Sequence, residues 1–386
     1  GGEKMQKIND ALYAVLRREL LKQPFGKETA EYLADGKRRE ALCNLAFFHD
    51  VGHLVADCFI TEGLVTENDE IYKRLNAVLM AAVCRGELLR RLTEDISRVL
   101  EAAGIDHVLL KGAVICDLYP KPWMRTSCDV DVLVKKEDLN TAAQALKKEG
   151  GRTLRPGEHD LPLEFKNGMH AELHFKLDGN SSKYADVLSR AWDHTVPVKG
   201  RPHTFVFDSD FTYFYHIAHT ARHIKNGGCG IKALVDDHYL NIACGETPER
   251  TALLSGGGLL KLQKNVRALS MRVMTGRSNP ETAQFERFIL SGGTYGTREN
   301  ELTLKKGFSG ELRADRIFLP LKELKYHYPA LEKHPRLYPL FAARRVLRLA
   351  FITFPELVKR QLKRKRSAGE DKGKENNTDI IKELGI

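Results

Sequence analysis

Two aspartates separated by one residue, Asp129 and Asp131, lie in the run DVDVLV, and this stretch limits what the chain can fold into more than any other. Side chains alternate across a strand, so both carboxylates face one side while Val130, Val132 and Val134 face a core. Carboxylates this close repel, and holding them on a half-buried strand calls for a cation. Mg²⁺ suits the position, because it takes oxygen ligands and is commonly held by one or two carboxylates plus substrate phosphates. Upstream, HVLL reads as a strand broken at Lys111-Gly112. A helical segment from Gly112 to Leu118 follows, then a loop containing Pro120 and Pro122.

The flanking sequence is mostly helical. Residues 4 to 104 carry apolar positions at helix spacing, Ile8, Leu12, Val15 and Leu16 among them, and end in a long amphipathic pattern stopped at Gly104. Within it, FFHDVGH imitates a metal-dependent phosphohydrolase motif, but His49 is the first histidine of the chain and a further upstream ligand is missing. His49, Asp50 and His53 are therefore expected on a solvent or interdomain helix face. Residues 137 to 150 read as a helix. LPLEFKNGMHAELHFKL reads as a hairpin with Asn167-Gly168 as a two-residue turn, Met169, Ala171, Leu173, Phe175 and Leu177 facing inward and His170, Glu172, His174 and Lys176 on the polar face.

Beyond a short strand at 203–208 the chain returns to helix. His216, His219 and His223 share one helical stripe, and substrate-facing histidines are expected there in preference to a three-histidine zinc site, since the Glu of HExxH is absent. A glycine cluster at 227–230 precedes a helix carrying Asp236 and Asp237. SGGTYGTRENE reads as an exposed loop, because it lacks the GK[ST] ending of a phosphate-binding loop. More helices are expected to 345, and the text after Arg360 is charged and of low complexity.

Taken together, LLKG, Tyr119-Pro120, Arg125 ahead of Ser-x-Asp-x-Asp, and a later HxxxH helix followed by GGCGIKALVDD resemble a bacterial branch catalogued as uncharacterised nucleotidyltransferases, within the DNA polymerase β superfamily. The likeness covers roughly residues 105 to 345. It implies an α+β fold with a small mixed sheet, 105–208 being the nucleotidyltransferase core; apolar periodicity and charge add a helical region at 1–104, another at 209–358 and a basic tail at 359–386. It also implies transfer of a nucleoside monophosphate from an NTP, ATP favoured, to an acceptor that is a small molecule or protein.

By the same resemblance Asp129, Asp131 and Glu172 would be the catalytic, metal-holding carboxylates, for Mg²⁺ or alternatively Mn²⁺. Lys111, Gly112, Ala113, Arg125, Ser127, His223 and Asp236 would line the nucleotide site. The superfamily usually has Gly-Ser after the first strand, whereas this chain has Gly112-Ala113, so phosphate binding falls to backbone N–H groups and Lys111. Two other readings of Arg125 and Lys111 are that Arg125 pairs with Asp129 and that Lys111 snorkels from a strand end. The departure at Ala113 keeps open a catalytically weakened nucleotide-binding regulator.

Charge adds one more class. Lys and Arg number 61 against 51 Asp and Glu, a net +10, which favours anionic partners. Nucleic acid is not the favoured one, since KRQLKRKR has no interleaved aromatics and no known reader motif occurs. No run approaches the ~18 apolar residues of a membrane span and the seven cysteines form no pairs, so a reduced, cytoplasmic protein is expected.

Overall fold

A computed structural model describes residues 2–178, 184–277, 279–297, 300, 335–339 and 384. Residues 1–302 with 380–386 form one compact unit, and 303–379 a second in which a 3₁₀ turn at Pro335–Leu337 is described. Arg344, Arg345, Arg348 and the basic stretch from 359 lie outside the described residues. Among those described, no helix is long and apolar enough to cross a membrane.

The chain opens with α1 (Gly2–Leu21), α2 (Lys27–Leu33), α3 (Gly36–Phe48), α4 (Gly52–Thr61) and α5 (Tyr72–Ala102). Along α5, Leu89, Leu92, Ile96 and Leu100 recur at helix spacing and are all buried. Gly104, at φ +67°, turns the chain out of it. His49 and His53 are buried and not on a solvent face: burial there is decided by packing against residues far along the chain, His53 Nε2 lying 2.8 Å from Met124 O. Asp50 reaches Lys232 Nζ at 2.8 Å and Thr126 Oγ1 at 3.1 Å.

Next come β1 (His107–Leu109), α6 (Lys111–Ile115), β2 (Asp129–Val134), α7 (Leu139–Lys148), β3 (Arg152–Thr153), β4 (Asp160–Glu164), β5 (His170–His174), α8 (Ala185–Leu188), β6 (Thr195–Val198) and β7 (Arg201–Phe207). The strands form one mixed sheet ordered β3-β4-β5-β2-β1-β7-β6. β2 runs antiparallel to β1 and parallel to β5. The turn between β4 and β5 is one residue longer than expected. Gly168 N–H donates to Phe165 O and Phe165 N–H to Met169 O, both at 2.9 Å, so Gly168 takes the left-handed position (φ +74°) that closes a three-residue loop.

The alternation in β2 and β5 sorts the sheet into two faces. Val130, Val132, Val134, Ala171 and Leu173 pack with the α5 leucines and with Ala142, Ala143 and Leu146 of α7. Burial of each large aliphatic side chain contributes about 1.5–3 kcal/mol, and this apolar face holds the strands against repulsion among the acidic groups on the other. The inward alternation ends with the strand at His174; Leu177 instead borders the polar cleft.

The remaining described helices are α9 (Ser209–Lys225), α10 (Lys232–Cys244), α11 (Pro248–Gly256), α12 (Leu260–Thr275) and α13 (Ala283–Gly292). Asp208 caps α9 by accepting the Phe211 N–H at 2.8 Å. After α13 the chain does not form the exposed loop expected at SGGTYGTRENE. Gly292, Gly293 and Thr294 are buried, because glycine lets two backbones meet: a Cβ on Gly292 would fall 2.6 Å from Gly227 O, and one on Gly228 would fall 2.9 Å from Gly292 Cα. Asn300 Nδ2 locks the contact by donating to Gly227 O at 3.0 Å.

Candidate active site

The polar face of the sheet floors a cleft of about 380 Å³ whose far wall is α9, α10 and the segment 294–295. Parallel pairing sets Asp131 directly opposite Glu172, and Asp129 lies two residues along β2 on the same face. His174 stands between them, its Nε2 2.9 Å from Asp131 Oδ1 and 3.3 Å from Glu172 Oε2. Burial alone would lower the His174 pKa, yet the two carboxylates raise it to about 9. Burial and then repulsion from Asp131 and Glu172 push Asp129 up to about 6. Asp131 is held below its ordinary value: burial opposes ionisation, but the His174 hydrogen bond and the charges of His174 and Lys111 outweigh it. The cluster is thus an excess of negative charge balanced in part by an imidazolium.

Lys111, half-buried at the start of α6, brings Nζ to 2.6 Å from His219 Nδ1. Burial, helped by Arg125 and Lys232, lowers its pKa to about 7 despite Asp131 and Asp236. His219 and His223 are neutral: burial and then the Lys111 charge push both down, His223 to about 4. All three stripe histidines border the cleft, with His219 and His223 Nε2 atoms 3.3 Å apart. The donor atoms that converge among the described residues are others, Asp131-Glu172-His174 and His159-Asp160-His174.

Arg125 does not pair with Asp129. Its Nε and Nη2 both donate at 2.9 Å to Asp236, which also accepts from Tyr119 Oη at 2.7 Å, and Arg125 and Asp236 are 8% and 4% exposed. Asp236 therefore acts on Arg125, leaving Nη1 toward Gly112. Gly112 borders both this cleft and a second cavity of about 380 Å³, whereas Ala113 borders only the second and its N–H is taken by Leu110 O at 3.1 Å. Ser127 donates to Asp129 O at 3.3 Å, and its Oγ lies 3.4 Å from where a Gly112 Cβ would be.

The floor of the cleft was readable from residue spacing, but several of its walls were not. His159, Asp160, Tyr215, Arg222, Lys232 and Tyr295 also border it. His174 was visible on the polar face of β5, and its closeness to Glu172 at i+2 was the available signal.

A family model described as uncharacterised nucleotidyltransferase matches residues 35–269. Among solved structures, the solution structure of the antibiotic-resistance factor ANT(2'')-Ia is similar, at 12% identity and a TM-score of 0.34, over 43% of this chain and 88% of that one. No curated protein matches.

Proposed function

Because this chain belongs to the family of uncharacterised nucleotidyltransferases, we propose that it moves a nucleoside monophosphate from an NTP to an acceptor hydroxyl, releasing pyrophosphate. The observation that carries this reading is the in-register Asp131–Glu172 pair with Asp129 beside it, facing a wall of cationic and neutral nitrogen groups. Three oxygen-donor side chains with unbalanced charge suit a hard divalent ion, so Asp129, Asp131 and Glu172 would hold Mg²⁺. Such an ion, when bound, neutralises charge at the α-phosphate and acidifies the acceptor hydroxyl.

The protein's own part is positioning and charge. Lys111 and the Nη1 of Arg125, which Asp236 does not take, hold phosphate oxygens near Gly112, and Asp236 with Tyr119 fixes the guanidinium that does so. Neutral His219 accepts a hydrogen bond from the Lys111 ammonium, which keeps that group aimed into the cleft. Ser127 supplies a hydroxyl beside Gly112, the neighbourhood where Ala113 has none.

Incubation with Mg²⁺ and each labelled NTP, alone and with cell extract, should release pyrophosphate and yield a labelled product, with Asp129→Ala/Asp131→Ala as control. NTP binding without pyrophosphate release, from wild-type protein under every condition, would favour the regulator reading instead. Gly112→Ala offers a narrower test. An added Cβ meets only ordinary contacts at 3.4–3.8 Å, so the fold should be kept, with the melting temperature unchanged. The methyl stands where phosphate is proposed to approach, and NTP affinity measured by calorimetry should fall by roughly tenfold, about 1.4 kcal/mol. Unchanged affinity would remove Gly112 from the phosphate site.

A further inference from the structure

A second set of donor atoms meets in the same cleft, and it is chemically unlike the first. His159, Asp160 and His174 each bring one such atom within 4.8 Å of the others. Their positions are built by the main chain. Asp160 opposes His174 in the antiparallel β4–β5 pair, and His159 O accepts the Phe175 N–H at 3.0 Å. A Cβ on Gly157 would fall 1.8 Å from Asp160 Oδ1, so the carboxylate occupies space that only glycine leaves open. The two imidazole rings stack with centroids 5.8 Å apart.

His174 is the informative member. Its Nε2 is engaged by Asp131 and Glu172, while its Nδ1 is buried without a partner among the described residues, on a side chain 9% exposed. An orphaned buried ring nitrogen is costly, and a metal ion that displaces the Nδ1 proton to water would satisfy it, leaving the ring neutral with its Nε2–H still donating to the two carboxylates. We propose that His159, Asp160 and His174 form a second metal site, selective for a divalent transition ion of the zinc and cobalt class, with water completing the shell. Two imidazoles and one carboxylate are a donor set that such ions favour. Mg²⁺ prefers oxygen alone and stays with the carboxylates. Arg222 Nη1 lies 3.4 Å from His159 Nε2 and would swing toward the solvent-facing part of the cleft as the ion enters.

The site does not depend on nucleotidyl transfer, and binding alone tests it. Metal-free protein is titrated with Co²⁺, without nucleotide and in excess Mg²⁺, by calorimetry and visible absorption. One Co²⁺ per chain should bind with ligand-field bands that Mg²⁺ does not displace. His159→Ala and Asp160→Asn, each checked for an unchanged melting temperature, should weaken that binding by more than the ~10–100-fold loss typical of an outer-shell partner. Asp129→Asn should keep it. No Co²⁺ binding by wild-type protein, full displacement by Mg²⁺, or equal binding by wild type and both site variants would overturn the proposal.

Discussion

Replacing Asp129 by asparagine is expected to reduce nucleotidyl transfer by roughly 10³-fold while making the metal-free protein more stable at neutral pH. The second half follows from charge. Asp129 ionises at about 6 in the folded chain because of burial and its acidic neighbours, against ~3.9 in an unfolded one. An acid whose pKa rises on folding penalises the folded state once it ionises. The penalty is absent below pH ~4, grows between there and about 6, and is complete above, where it is on the order of 3 kcal/mol. Asparagine removes it. Metal-free Asp129→Asn should therefore melt above wild type at pH 8 and level with it at pH 4. Added Mg²⁺ should reverse the order at pH 8, since the wild-type site then gains a counter-ion. A variant that melts below wild type at pH 8 without metal would show that no such repulsion exists.

The second large effect is expected at the Arg125–Asp236 pair. Both partners are buried, so truncating one leaves the other charged in a poor solvent, at a cost of about 3–5 kcal/mol. Asp236→Leu should lower the denaturation midpoint accordingly and abolish activity. The double variant Arg125→Met/Asp236→Leu discriminates between stability and chemistry. An apolar pair of similar volume commonly restores stability, but it has no Nη1 to offer a phosphate, so activity should stay absent. Recovery of both would mean that the pair serves the fold alone. Failure of the double variant to regain stability would mean that Tyr119, left with an unpartnered hydroxyl, matters more than the ion pair.

What could be read from sequence, and what could not, divides along the range of the interactions. The two-faced character of β2 follows from alternation within six residues, and the long α5 from its apolar spacing. The partner of Arg125 was out of reach, because Asp236 lies 111 positions away and only the packing of α10 brings it in. The local pattern shows His174 near Glu172, but its contact with Asp131 comes from the parallel pairing of β2 and β5, which no local pattern announces. The short strands β3 and β6 were missed for a similar reason: Thr195–Val198 contains Pro197, which weakens any strand reading, and is a strand only because β7 supplies its hydrogen bonds at the sheet edge. His49 and His53 read as groups of a solvent or interdomain helix face because their polarity was visible and their distant neighbours were not. The site residues divide likewise, with the spacing of Asp129 and Asp131 local and the cationic wall opposite them dependent on tertiary packing.

The backbone-to-backbone seam between residues 227–230 and 292–296 has a bearing on how this molecule could be redesigned. It leaves no tolerance at the glycines, yet the side chain it presents at the rim, Tyr295, is 71% exposed and meets Cys128 Sγ at 3.5 Å. Rigid support beneath a replaceable group is the arrangement that combinatorial libraries exploit, so altered substrate choice should be sought by randomising Tyr295 and Cys128 while the glycines are left untouched.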